Sequence, residues 1–244
     1  MDPIAYSRMA DNEQRHWWFS GRRAILAALL RRELAQHSQP IRILEAGCGS
    51  GGNLDMLTTF GAVDAVEFDA GARAIAARRS GIPVQACALP HDLPVRDGAY
   101  DLIVLLDVLE HIEDDQATLC ALRRKLKQDG RLLVTVPALP WLWSHHDDLH
   151  HHKRRYTKRS LELAAAAAEF KIAHIGYFNT FLFPIALVRR LIAIVYSRPT
   201  QDDRMPTRLL NAILSRIFSS ERHIIGRAGL PVGLSLYAVL SDGR

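Results

Sequence analysis

Cysteine is scarce and unpaired: Cys48, Cys87 and Cys120 are the three in 244 residues, and no two form a C-x-x-C pair. A disulfide framework and a structural zinc knuckle are thereby disfavoured, and a reducing compartment is expected. Long apolar runs are missing as well. The greasiest stretch, Phe178 to Tyr196, is broken by Asn179, Pro184, Arg189 and Arg190, which makes a poor membrane-spanning helix. The opening MDPIAYSRMADNEQRHWWF has no basic start followed by an apolar segment, so no export signal is expected. Charge of one sign is modest. Lys and Arg number 31 against 26 Asp and Glu, a formal net charge of +5, well short of a dedicated nucleic-acid binder. With 48 % hydrophobic and 23 % charged residues, the composition describes one ordinary α/β domain, expected in the cytoplasm.

What is present is an alternation of strand and helix patterns. Residues up to about Gln36 read as a helix, with Ala24, Ile25, Leu26, Leu29, Leu30 and Leu34 at helical spacing and Pro40 closing it. Ile41–Leu44 makes a short strand that runs into Glu45-Ala46-Gly47-Cys48-Gly49-Ser50-Gly51-Gly52 and then a helix from Asn53. A second such unit has a strand at Ala62–Val66, Glu67 at its end and a helix at Ala70–Arg79. Further strands are expected at Val84–Ala86, Asp101–Leu106 and Arg131–Val136, with a helix at Gln116–Lys127 stopped at Asp129-Gly130. This alternation predicts βαβ units and a parallel sheet covered by helices on both faces.

Gly47, Gly49 and Gly51 permit a sharp turn and a close backbone approach to a ligand. Their spacing, E-x-G-x-G-x-G, differs from the G-x-G-x-x-G pyrophosphate cradle and so disfavours a dinucleotide enzyme; a purely structural turn stays open. Glu67 is placed to accept hydrogen bonds from both hydroxyls of a ribose, with Asp69 as the alternative acid. On these residues the chain resembles the class I S-adenosylmethionine (SAM)-dependent methyltransferases, whose first motif matches Glu45 to Gly51 and whose ribose-binding acid matches Glu67. Ala88-Leu89, Leu93-Pro94, Asp97 to Asp101, Leu106 to His111 and Leu126 to Pro137 match further motifs in order, over about residues 40–180. The resemblance implies a Rossmann-like, doubly wound seven-stranded sheet with helices on both faces and a helical insertion before the last strand. It also implies SAM as methyl donor, held by Glu45, Gly47, Cys48, Gly49, Gly51, Asn53, Glu67, Phe68, Ala88, Leu89 and Asp107.

The acceptor has to come from the less regular segments, because a sulfonium methyl is already reactive and needs only an in-line nucleophile. The N/D-P-P-Y/F sequence of base-amino methyltransferases is replaced by Asp107-Val108-Leu109-Glu110, which disfavours nucleic acid as a partner. The D-V-L-E-H version is similar to the branch acting on small molecules and lipids, including quinone O-methyltransferases. The densest chemical stretch, Trp141 to Thr157, follows the fifth strand at the carboxyl edge of the sheet. Here His146 oriented by Asp147 is the expected general base. A cation site of His146, Asp147, His150 and His152 is the second possibility, without the spacing of a zinc motif, and no metal is expected. The third is a polar closing loop with Arg154, Arg155 and Tyr156 in structural pairs. Trp17, Trp18, His111, Arg154, Arg155 and Tyr156 are candidate substrate contacts, the arginines suiting an anionic group. The alternative for Trp17, Trp18 and Phe19 is packing on the sheet edge.

The resemblance implies a closing hairpin of strands six and seven, which Ala173–Tyr177 and Leu234–Leu240 match, with some fifty residues between them, more than a hairpin needs. From Gly176 to Arg244 there are nine Arg and no Lys against four acids. Leu209, Leu210, Ile213, Leu214, Ile217 and Phe218 share one helical face opposite Arg208, Asn211, Ser215 and Arg216. Such a helix suits an anionic bilayer surface, a lid over a lipid acceptor, or a homodimer interface. The expected organisation is an N-terminal helical cap over 1–38 and a methyltransferase domain over 39–244 with an insertion at about 181–230. The expected activity is methyl transfer to a hydroxyl on a small or lipid-linked acceptor, at the inner membrane face or in the cytoplasm. A non-catalytic SAM-binding scaffold and a nucleic-acid methyltransferase are the alternatives.

Overall fold

The computed structural model describes residues 13–37, 40–196, 205–227 and 229–242; for residues 146 and 190–196 it describes the backbone only. Helix α1 (Trp17–Glu33) precedes β1 (Ile41–Ala46), α2 (Leu54–Thr58), β2 (Gly61–Glu67), α3 (Ala70–Ser80), β3 (Val84–Ala86) and β4 (Tyr100–Leu106). After a 3₁₀ turn at Leu109–His111 come α4 (Asp115–Lys125), β5 (Leu126–Pro137), α5 (His145–Leu149), α6 (Lys158–Ala167) and β6 (Phe170–Phe178). Two helices, α7 (Phe183–Tyr196) and α8 (Arg208–Ser220), separate β6 from β7 (Ser235–Asp242). The strands form one sheet in the order β3-β2-β1-β4-β5-β7-β6, in which β7 runs antiparallel between β5 and β6.

The central strands are buried on both sides, and their period of two divides the core. Ile103 and Leu105 belong to one apolar cluster with Leu119 and Leu122 of α4 and Leu161 and Ala165 of α6. Leu102 and Val104 belong to the other, with Ile25, Leu26, Leu29 and Leu30 of α1 and Phe218 of α8. Side-chain caps set helix starts at Asp69 and Asp114, and Thr157 with Ser160 forms a capping box for α6. The fourth helix stops earlier than the expected Gln116–Lys127, at Lys125. Leu126 already pairs with Tyr100, and the register then jumps so that Leu102 meets Arg131. Gly130 sits inside this irregularity, where a Cβ would lie 2.9 Å from the Tyr100 carbonyl oxygen.

The insertion meets the rest of the chain largely through α1. On α8 the polar Asn211 and Ser215 turn toward α1: Asn211 Oδ1 accepts from Trp17 N at 2.8 Å, its Nδ2 donates to the Arg15 carbonyl at 2.8 Å, and Ser215 meets Ser20 at 3.1 Å. Phe218 is fully buried against Gly21, where a Cβ would approach its ring to 2.6 Å. Of the six apolar residues expected to share one helical face, Phe218 and Leu214 pack inward, while Leu209, Leu210, Ile213 and Ile217 stay exposed. The base of the insertion is closed by the buried Glu221, whose carboxylate accepts from the backbone N–H groups of Asn179, Thr180 and Phe181 at 2.7–2.8 Å. No helix among the described residues is long and apolar enough to cross a membrane.

Phe218→Ala removes a buried ring at the α1–α8 contact and is expected to destabilise the fold by about 3–5 kcal/mol, read as a lower urea midpoint in circular dichroism. A loss under about 1 kcal/mol would mean that α8 does not pack on α1 as described.

Candidate active site

The carboxyl ends of β1, β2, β4 and β5 meet at one edge of the sheet. After β1 the chain turns through Gly47, Gly49 and Gly51, all at positive φ. At Gly47 a Cβ would lie 2.7 Å from Val108 Cγ2, and at Gly51 3.0 Å from the Ala76 backbone, so these two glycines are required by packing. Gly49 has open space where its Cβ would be, which leaves its backbone approachable. Cys48 is buried beside it and burial pushes its thiol up, so it fills the turn as a small neutral residue.

Glu67 ends β2 and reaches across this turn: Oε2 accepts from Gly49 N and Oε1 from Asp69 N, each at 2.9 Å. Asp69 is occupied as the α3 cap, Oδ1 accepting from Ala72 N at 2.8 Å. Of the two acids weighed from the sequence, Glu67 therefore faces the glycine turn. Glu45 is fully buried; Oε1 accepts from Asn53 Nδ2 at 2.9 Å, and Oε2 has no hydrogen-bond partner among the described residues. Burial pushes its carboxyl up to about 8, against the opposing effect of the Asn53 bond. Phe68 is exposed, Ala88 and Leu89 are half-buried, and Leu89 packs on the core beside the end of β3.

Asp107 follows β4 at φ +55° and is tied to two other elements. Arg22 of α1 donates to Asp107 Oδ2 at 2.7 Å and to Thr135 Oγ1 of β5 at 3.0 Å, and the Asp107 amide donates to the Thr135 carbonyl at 3.0 Å. The Arg22 guanidinium lies 5.3 Å from the Trp18 ring, so Trp18 stands beside the site. Trp17 turns away and packs edge-on against Phe218. Glu110, two residues before Ile112, is buried; burial and the Asp107 charge push its carboxyl well above the usual range. Burial and the adjacent His152 lower His111 to about 4, which keeps its imidazole neutral.

In the histidine-rich segment Asp147 is completely buried and binds His152 Nδ1 at 2.9 Å. The expected partner, His146, has its side chain outside the described residues. Asp147 also accepts from Arg155 Nε at 2.7 Å and from Ser144 N at 2.8 Å. Burial opposes its ionisation, but the bonds from His152 and Arg155 outweigh that and hold its carboxyl far below the usual range. Arg155, read from the sequence either as a substrate contact or as a member of a structural pair, is buried on Asp147 and the Ala138 carbonyl. Tyr156 is buried with its hydroxyl on Asp115 at 2.8 Å, and Arg154 bonds the Glu113 carbonyl and Asp115. All three are spent on the scaffold because the loop's polar groups need partners once buried. Arg22, which the sequence offers together with Trp17, Trp18 and Arg23 as a lid or substrate contact, is found on Asp107. The sequence reasoning missed Thr135 and Glu110, of which Glu110, an acid flanked by Leu109 and His111 just after an apolar strand, carried a readable signal.

The strand order, with the seventh strand inserted antiparallel, and the glycine turn after β1 define a class I methyltransferase fold. Residues 18–175 match the family model described as "Methyltransferase domain", and the chain belongs to that family. A probable S-adenosylmethionine-dependent methyltransferase of Mycobacterium tuberculosis is 30% identical over 129 residues, covering 52% of this chain and 45% of the relative. The chain thus spans under half the length of that relative. Among solved structures, geranyl diphosphate C-methyltransferase from Streptomyces coelicolor A3(2), bound to Mg2+, geranyl-S-thiolodiphosphate and S-adenosyl-L-homocysteine, superposes with a TM-score of 0.59 at 17% identity, covering 89% of this chain and 75% of that one. Phosphoethanolamine N-methyltransferase 2 of Haemonchus contortus, bound to S-adenosyl-L-methionine, gives 0.58 at 18% identity, covering 89% and 52%. At such identities the likeness shows the fold, and the two proteins methylate different elements.

Glu45 yields a pH prediction for the ligand-free protein. Its carboxyl ionises near 4.3 in an unfolded chain and near 8 when folded. Between those values the folded state holds a proton that the unfolded state lacks, so this group's contribution falls as pH rises. Arg22 opposes the shift, and Glu13 and Glu67 add to it. The melting temperature of Glu45→Gln relative to wild type should therefore rise from about pH 5 to about pH 8; a difference independent of pH would show that Glu45 is not held protonated.

Proposed function

We propose that the chain transfers a methyl group from SAM to a hydroxyl oxygen of a small or lipid-linked acceptor. The observation that carries this is Glu67 lying across an open glycine turn at the carboxyl edge of a methyltransferase fold. SAM supplies a sulfonium-bound methyl that is electrophilic without further activation. The residues present fit it: Glu67 supplies a carboxylate for the ribose hydroxyls, and Glu45, with its unpartnered Oε2, supplies one for the donor's ammonium. Asn53 orients Glu45, while Gly47, Cys48, Gly49 and Gly51 form the turn. Phe68, Ala88 and Leu89 border the adenine, and Asp107, neutralised by Arg22, forms the floor.

On the acceptor side, Trp18 lies against Arg22 beside Asp107, and the carboxylate-oriented imidazole is His152, held by Asp147. His146, one residue before Asp147, is kept as an acceptor-side group and His111 stands beside His152. A lipid-linked acceptor is supported by α8, where exposed Leu209, Leu210, Ile213 and Ile217 neighbour Arg208 and Arg216. An apolar face with arginine flanks matches an anionic lipid surface in both hydrophobicity and charge.

Two measurements test these steps. Calorimetric titration with S-adenosylhomocysteine should show binding that Glu67→Ala weakens by about 10- to 100-fold, the loss of one or two charge-assisted hydrogen bonds, and that Asp69→Ala leaves in place. Absence of binding by the wild type would remove the donor assignment. Sedimentation with phosphatidylglycerol vesicles should pull down the wild type and not the Leu209→Asp/Ile213→Asp double variant; equal partition of both would remove the lipid surface.

A further inference from the structure

Glu110 and His111, in the turn after β4, face His152 from the loop after α5. Each of the three offers one ligand atom, and those atoms lie within 4.8 Å of one another. The two imidazoles meet nearly perpendicular, 79° between planes, with centroids 4.7 Å apart. Lys153 N donates to the Glu110 carbonyl at 2.7 Å, which ties the two segments in register next to the cluster.

Glu110 is the unusual member. Its side chain is 1% exposed, and Oε2 has no hydrogen-bond partner among the described residues. A carboxylate buried in that way is unfavourable unless a cation or donor reaches it. The nearby guanidinium groups are committed elsewhere: Arg22 holds Asp107 and Arg155 holds Asp147. His152 is in a different condition, since its Nδ1 is fixed by the Asp147 carboxylate at 2.9 Å. A carboxylate on one ring nitrogen is the usual support of a metal-bound histidine, because it fixes the tautomer and raises the basicity of the other nitrogen.

We propose that Glu110, His111 and His152 bind one divalent first-row transition-metal ion, with His152 ligating through Nε2. The assignment rests on the methyl-transfer function proposed above for its chemical role. Two imidazole nitrogens and one carboxylate oxygen suit zinc, manganese or iron better than magnesium or calcium. Three protein ligands leave coordination positions open, the arrangement of a catalytic rather than a structural site. There the ion holds the acceptor hydroxyl oxygen and lowers its pKa. The O–H bond breaks and its proton passes to water. An oxygen electron pair then forms the bond to the methyl carbon as the carbon–sulfur bond breaks, and that bond's electrons stay on sulfur, leaving a neutral thioether. This ligand set differs from the His146, Asp147, His150 and His152 set weighed from the sequence, because Arg155 and Ser144 occupy Asp147 while the fold brings Glu110 and His111 to His152.

The test is spectroscopic. Protein freed of metal with EDTA is titrated with Co2+, and the same preparation is titrated calorimetrically with S-adenosylhomocysteine. The site predicts a ligand-field band in the visible that saturates at one equivalent and is displaced by Zn2+. Glu110→Gln and His152→Ala should each weaken Co2+ binding by about 10-fold or more while S-adenosylhomocysteine still binds. His111→Gln, at a less buried position, serves as the third variant should either of the others lose its native circular dichroism. A chain that binds S-adenosylhomocysteine and gives no cobalt band overturns the metal site and leaves the donor assignment standing. A band that survives all three folded variants overturns the ligand set. A cobalt band without S-adenosylhomocysteine binding supports the metal site and removes the methyl-transfer role.

Discussion

The ion pair between Arg22 and Asp107 joins the elements on which the site depends. Arg22 leaves α1 and ends, 4% exposed, between Asp107 at the end of β4 and Thr135 of β5. A guanidinium that far from water is tolerated because it is matched; stripping one partner from a buried pair typically costs about 3–5 kcal/mol. Asp107 itself holds a left-handed backbone conformation that a non-glycine residue adopts only when its surroundings impose it. The bonds from Thr135 and Arg22 are those surroundings. Through Arg22 the N-terminal helix is fixed over the carboxyl edge of the sheet, and through Phe218 and Asn211 the insertion is fixed on that helix.

Five carboxyl groups crowd this edge, and their partners sort them. Asp107 and Asp147 each hold a guanidinium, and Glu67 holds two backbone N–H groups. Glu45 and Glu110 each keep one oxygen without a hydrogen bond among the described residues, and burial raises both. A fold selected only for stability would replace such groups with apolar residues of similar volume. Groups of this kind follow the pattern of sites completed by something that binds, the part that the proposed cationic donor would play at Glu45 and the proposed metal ion at Glu110.

The insertion obeys a different constraint. It is anchored at its root by Glu221, whose carboxylate caps three consecutive backbone amides at the exit of β6. Beyond that root, α8 touches the body of the protein through a polar strip and two apolar side chains. The small Ser20 and Gly21 of α1 admit a close approach at that strip, so helix–helix contact is made there and the broader apolar face is left outside. That contact is why Leu209, Leu210, Ile213 and Ile217 of α8 stay exposed.

The sequence by itself determined the sheet and the donor side. The first five strands, the glycine turn and the acid after the second strand were legible because each depends on local rules: apolar runs between turn signals, positive φ at glycine, and an acid one strand-length beyond the turn; the last two strands were placed by the family resemblance. Within that region tertiary structure only chose between neighbours, taking Asp69 as a helix cap and leaving Glu67 across the turn. The acceptor side was decided by folding alone. A fully buried carboxylate takes the partners that its burial brings within reach, and for Asp147, among the described residues, those are His152, Arg155 and Ser144. Arg22 and Asp107 lie 85 positions apart, and Glu110 and His152 lie 42 apart. Electrostatic pairing of buried groups works across whatever distance in sequence the packing closes, so no local pattern encodes it.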